Sequence, residues 1–267
     1  MKIHAQMDLA SLMRDRAYMM SWIAADIISN VSSVAGIFLL AWKFDGIGSL
    51  NRWEVLFMLA YANVVMGFLS MCGSPNALFV SRIIGRGQWE HMYIMPLPYP
   101  TALAMGFFPF TCSSTFVTGA VLMGVSLAQM NLALPWWWGS ALVGSIAVSM
   151  AIVTALSYLL SSLAFYAPVQ CEEIATTVLS SVQHTMSFPL SGMPGYVKYP
   201  LLTIFPAGLT AWYPTMLLLG KTGGAGAVYP AVFAVLLALV TSYVFGKGLK
   251  YYAKVGINRY SSGGHRC

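Results

Sequence analysis

Two ionisable side chains lie inside long apolar stretches of the sequence, where a charge or a hydrogen-bonding group has a chemical use. Asp26 lies in the stretch 18–41 and His184 in the stretch 174–190. A carboxylate within a bilayer is costly unless it meets water or a partner. Asp26 and His184 are therefore candidates for the wall of a translocation path. Hydration of Asp26 near the inner membrane interface is the alternative, and the sequence leaves both open.

Other chemistry has little support in the sequence. Ser126 follows Gly124 in a G-x-S string, which with His184 could form a protease dyad, but glycine and serine are common packing residues in membrane helices. The four cysteines and four histidines lack the short spacings of a metal site. No G-x-x-x-x-G-K-S/T string is present to hold a nucleotide. We predict no catalytic residue, no metal and no cofactor in this chain.

The stretch 82–100 carries the most specific pattern. Two glycines precede a short amphipathic segment, at about 88–94, and prolines end it. Such a bounded helix offers a partner protein a surface to hold; the alternative is a helix lying on lipid headgroups. The candidate contact residues are Arg86, Gln88, Trp89, Glu90, Met92, Tyr93 and Pro96.

The amino-acid composition indicates whether these residues belong to a soluble or a membrane protein. Hydrophobic residues make up 58% of the 267 residues and charged residues 8%, whereas a soluble domain has about 25% charged residues. This composition excludes soluble enzymes, disordered chains and disulfide scaffolds. The net charge of +6 reflects Lys and Arg retained on the cytoplasmic side of a membrane, and not a nucleic-acid partner.

The distribution of apolar residues predicts an all-α membrane protein with a single domain, 1–267. Six stretches approach the ~20 residues that a bilayer requires, at about 18–41, 53–72, 102–127, 138–162, 174–190 and 228–247. Three- and four-residue apolar spacing before the first span predicts an interfacial amphipathic helix, with a plain extension of that span as the alternative. Prolines within 191–220 predict short re-entrant helices on the outer side.

The basic residues predict the orientation. With the N-terminus inside, ten of the fourteen Lys and Arg residues are cytoplasmic. These are Lys2, Arg14, Arg16, Arg82, Arg86, Lys247, Lys250, Lys254, Arg259 and Arg266. Both termini are therefore predicted to be cytoplasmic.

Three parts of the sequence resemble the ABC-2 type permeases, the membrane subunits of ABC exporters. Residues 83–97 are similar to the family pattern I-x-x-G-x-L/W-D/E-x-x-L/I-x-K/R-P-L/V, with Met95 in place of the basic residue. The proline-broken run from Phe188 to Pro214 resembles the family's outer segments between spans five and six. The string GLKYY at 248–252 is similar to a family ending.

The resemblance implies partners and a mechanism. It implies two permease subunits, identical or homologous, bound to two cytoplasmic ATPase subunits that carry ATP and Mg. The helix at 88–94 would dock on the ATPase, and spans one, two and five would line the substrate path in the bacterial cytoplasmic membrane. Substrates of the family are amphipathic or polymeric. A secondary carrier and a non-transporting assembly subunit remain the alternatives.

Overall fold

The computed structural model describes residues 2–72, 74–86, 88–89, 110, 112–130 and 135–255. These residues form helices and turns, with one isolated β-bridge between Ile47 and Leu50 and no strand among them. The helices are α1 Lys2–Arg14, α2 Arg16–Lys43, α3 Arg52–Cys72, α4 Ser74–Gly85, α5 Ser113–Met130, α6 Trp138–Ser161, α7 Pro168–Met186, α8 Gly195–Thr203, α9 Ala207–Thr210, α10 Trp212–Leu218 and α11 Val228–Val255. Turns of 3₁₀ helix lie at Ser162–Phe165, Leu190–Gly192 and Gly224–Ala227. The predicted all-α class is confirmed.

Five of the described helices are long and apolar enough to cross a membrane. They are α2, α3, α5, α6 with its 3₁₀ extension, and α11. The pair Gly195–Thr203 and Ala207–Leu218, bent by 69°, would be a sixth if it counts as one span. The predicted fifth span, 174–190, is not among the five, because α7 carries many polar residues. The predicted third span starts at Ser113 in the described part of the chain, and 101–109 lie outside it.

The N-terminal segment forms two helices, α1 and α2, separated at Asp15. The Asp15 carboxylate accepts a hydrogen bond from the Tyr18 N–H at 3.0 Å, an N-cap that starts a new helix. Within α1, Met7 and Met13 are exposed, whereas Asp8 is buried and accepts a hydrogen bond from the Phe110 N–H at 2.9 Å. A helix separate from the first span is thus present, with Asp8 buried against protein. Its position at the membrane interface stays a prediction.

α3 is the central helix of the bundle. In its most apolar window 67% of the residues are buried, against 6% for α2. Its closest neighbour is α5, and two glycines permit this approach. A Cβ on Gly119 would lie 2.7 Å from the Val64 nitrogen, and one on Gly67 would collide with the backbone of Phe116. Small residues at helix crossings are the usual means of close packing in membranes.

The bundle has two ends. At the loop end, Trp89 lies against the 3₁₀ turn Ser162–Phe165 and the last turns of α11. At the turn end, the loop between α2 and α3 packs on the Leu190–Gly192 turn, and the Lys221 ammonium donates to the Glu54 carboxylate and the Ser49 carbonyl, both at 2.6 Å. α7 begins at the first end and reaches the second. The side of the membrane on which each end lies stays a prediction.

The α3–α5 contact gives a first testable prediction. Gly119→Val should lower the thermal stability of the purified protein in detergent, because the added carbons meet the α3 backbone. Forced overpacking costs about 1–3 kcal/mol. Gly124→Val is the matched control on the same helix, since nothing lies within 4 Å of a Cβ there. Equal apparent melting temperatures for the two variants would contradict the close packing.

Candidate functional site

An ion pair joins α4 to α7 at the loop end. The Arg82 Nε and Nη2 atoms donate to Glu172 Oε1 at 2.9 and 2.8 Å. The Glu172 side chain is 10% exposed and that of Arg82 is 48% exposed. A charge-assisted pair with one largely buried partner holds two elements more firmly than a surface pair does. α4, which leads into the predicted contact stretch, is therefore fixed to the start of α7.

Aromatic rings make a second connection at the same end. We call Trp89, Phe165, Phe245 and Tyr252 the aromatic cluster. The Trp89 ring is fully buried, with its centroid 5.4 Å from that of Phe165 and 6.5 Å from that of Phe245. Phe165 meets Phe245 at 5.0 Å and Tyr252 at 6.1 Å. The absence of a side chain at Gly248 lets the Phe165 ring lie against α11. Edge-to-face pairs of this kind add to the energy of burial.

The predicted contact residues fall into three groups. Arg86 and Gln88 are exposed in the turn after α4. Trp89, predicted as part of an exposed apolar surface, lies inside the aromatic cluster instead, because its ring completes the packing between the α6–α7 connection and α11. Glu90, Met92, Tyr93 and Pro96 lie outside the described residues. Trp89 is thus packed into the bundle, whereas the neighbouring Arg86 and Gln88 are exposed.

α7 has two chemically different faces. Its buried face is apolar except for Glu172 and follows the helical spacing of three and four residues: Cys171, Ala175, Leu179, Val182 and Met186. Its opposite face, which we call the polar face, is exposed along its length and consists of Gln170, Glu173, Thr177, Ser181 and His184, with Ile174 as the exposed apolar exception. The polar face contributes part of the low apolarity that removes α7 from the five candidate spans. The sequence alternates these residue types, but it does not reveal which face is covered.

Asp26 lies at the first turn of α5. Its carboxylate accepts hydrogen bonds from the hydroxyls of Ser114 and Thr115, the latter at 3.3 Å. Asn30 donates to the Asp26 carbonyl at 2.8 Å and to the Thr115 hydroxyl at 3.0 Å. The N-terminus of a helix favours a negative charge, so the position suits a carboxylate. Asp26 is half-buried and ties α2 to α5.

The structure gives the two predicted intramembrane candidates different surroundings. Asp26 contacts α5, whereas His184 lies on the exposed polar face of α7. Ser126 is fully buried and donates to the Met123 carbonyl at 2.8 Å, as expected of a packing residue. Sequence reasoning missed Arg82 and Glu172 as a pair, since 90 residues separate them. The described residues contain no group of three His, Cys, Asp or Glu side chains able to hold a metal ion.

Comparison with known protein families shows to which family the chain belongs. The sequence model of a family described as ABC-2 family transporter protein matches residues 27–256. The chain belongs to this ABC-2 transporter family. No curated protein and no solved structure matches it. The resemblance predicted from the stretch 83–97 is therefore confirmed at the level of the family, and the chain is a multi-pass membrane protein.

Membership fits the arrangement of the site. ABC-2 proteins are membrane subunits without catalytic residues of their own, and they work with ATPase partners. In this ABC-2 protein, the Arg82–Glu172 pair holds α4 against α7, and the aromatic cluster holds Trp89 against α11.

The ion pair gives a second prediction. Arg82→Gln should destabilise the protein by about 1–2 kcal/mol, because it leaves the Glu172 carboxylate without its guanidinium. This is less than the loss of about 3–5 kcal/mol when a fully buried pair is broken, since Arg82 is half exposed. The charge exchange of Arg82→Glu with Glu172→Arg should restore part of the loss. Glu173→Gln, at the exposed neighbouring position, is the control. Thermal unfolding in detergent measures all four proteins, and equal stability of Arg82→Gln and the control would remove the pair from the structural argument.

Proposed function

We propose that this chain is the membrane-spanning permease subunit of an ATP-driven ABC exporter. It moves an amphipathic or polymeric substrate across the bacterial cytoplasmic membrane. Two copies, or one copy and a homologous permease, bind two ATPase subunits, and ATP and Mg bind to those partners. The observation that carries the proposal is the exposed polar face of α7. The same helix is joined through Glu172 to α4, which leads into the stretch that would meet the ATPase.

The length and position of α7 support a water-filled path. Its 19 residues correspond to about 28 Å of helix, close to the ~30 Å of a hydrocarbon core. It also runs from the loop end to the turn end of a bundle whose other long helices are apolar. Hydroxyl, amide and carboxylate groups at that depth are stable only beside water or protein. The polar face therefore lines the substrate path, with His184 near its far end.

The connections at the loop end support coupling to ATP hydrolysis. Force applied to the stretch after α4 reaches α7 through Arg82 and Glu172, and reaches α11 through Trp89 and Phe245. Glu173, the first carboxylate of the polar face, directly follows Glu172 in the chain. A movement of the ATPase would thus turn or tilt the helix that lines the path. An ion-coupled carrier needs no such connection to a cytoplasmic partner.

Cysteine labelling tests whether the polar face is wet. In a variant without native cysteines, Ser181→Cys should react with a water-soluble maleimide in membranes, because thiols react as thiolates in water. Ser242→Cys on α11 should react at least ten-fold more slowly, by order of magnitude, if lipid surrounds it. The two serines are matched, since both are exposed and each donates to the carbonyl four residues earlier at 2.8 Å. Equal rates at the two positions would contradict a water-filled path along α7.

Co-purification tests the ATPase partner. When co-expressed with a candidate P-loop ATPase subunit, wild type should form a stable complex that exports substrate in an ATP-dependent manner. Arg86→Glu with Gln88→Glu should reduce the amount of bound ATPase by about ten-fold or more, because like charges across an interface cost several kcal/mol. Lys43→Glu, exposed at the turn end, should have no effect. Full ATPase binding by the Arg86 and Gln88 variant would show that this surface is not the contact, and ion-dependent transport without ATPase would favour the carrier.

A further inference from the structure

One exposed face of α11 is apolar over its first turns and carries lysines near its C-terminal end. Residues four, seven and eleven positions apart lie on the same side of an α-helix, so Tyr243, Lys247, Lys250 and Lys254 share one face. All four side chains are exposed. We call this set the lysine face.

The same side of α11 is apolar for several turns before the lysine face. Five side chains are each about half exposed or more, although each is large and hydrophobic. They are Val232, Val235, Leu236, Leu239 and Val240. Because this helix crosses the membrane, the apolar stripe meets lipid tails, and the lysines that continue it lie at the level of the headgroups.

The positive charge of the lysine face is not balanced within the described part of the chain. None of the three ion pairs found there includes Lys247, Lys250 or Lys254. By contrast, Arg82 and Lys221 are each paired with a carboxylate. The Lys247 ammonium lies 4.5 Å from the centre of the Tyr243 ring. We therefore expect an anion from outside the chain to neutralise the positive charge of these lysines.

Tyrosines complete the surroundings of these lysines. Tyr251 stacks on Tyr166 with 4.6 Å between ring centroids, and both rings are more than 40% exposed. Tyrosines with one apolar and one polar end collect at the membrane interface. Ammonium groups and phenol hydroxyls together match the phosphate of a lipid headgroup.

We propose that the lysine face binds the headgroups of anionic phospholipids at the end of α11. A second copy of the chain fits less well, because a symmetric interface along this side would bring the lysines of both copies to the same depth and oppose like charges. The proposal does not depend on transport or on an ATPase.

Lipid titration of the purified full-length protein in mild detergent tests the proposal, with binding followed by native mass spectrometry. The probes are phosphatidylglycerol and phosphatidylcholine with identical acyl chains. Wild type should prefer phosphatidylglycerol. Lys247→Gln with Lys250→Gln should weaken phosphatidylglycerol binding by about 25-fold, because each lysine near an anionic surface contributes about a factor of five. Binding of phosphatidylcholine should stay unchanged.

Two control variants and a competitor make the result specific. Lys247→Arg with Lys250→Arg keeps the charge and should keep the affinity. Lys43→Gln with Lys198→Gln removes two positive charges at the turn end and should also leave the affinity for phosphatidylglycerol unchanged. Inorganic phosphate should not displace the lipid. Unchanged lipid binding by Lys247→Gln with Lys250→Gln, an equal loss in the Lys43 and Lys198 control, or displacement of the lipid by phosphate would each overturn the proposal.

Discussion

The contact between the backbones of α3 and α5 is the constraint on which the bundle depends. Gly67 and Gly119 remove the side chains that would keep the two helices apart, so Val64 and Phe116 pack directly against the opposite glycines. In lipid, dispersion contacts of this kind replace the hydrophobic driving force that water supplies to soluble proteins. With α3 enclosed, α2 and α11 are left at the periphery, where most of their surface is exposed.

The functional half of the molecule is arranged around α7. Its apolar face joins the interior through Leu179, Val182 and Met186, and its polar face is left outside. The loop end holds it by charge, through Glu172, while the turn end receives its last residues at the Leu190–Gly192 turn. One helix is thereby packed through its apolar face and held at both ends, while its polar face stays exposed.

The sequence predicted the helical class, five of the candidate spans and the family, because long apolar stretches and short motifs are local signals. It could not predict which side of an amphipathic segment would be covered. Trp89 illustrates this: an aromatic residue on a short amphipathic stretch fits a docking surface or a core equally well, and only Phe165 and Phe245, from distant parts of the chain, decide for the core. The contact between Asp8 and the Phe110 N–H could not be predicted for the same reason, since 102 residues separate the two.

Asp8 and Asp26 both connect an N-terminal helix to the region around the start of α5. Asp8 holds α1 to the backbone at Phe110, and Asp26 holds α2 to the hydroxyls of Ser114 and Thr115, so both helices are attached near the start of α5. α2 has few buried residues elsewhere to fix it. α1 and α2 are therefore both attached to the region around the first turn of α5, so we expect a displacement of that turn to affect the tilt of both helices.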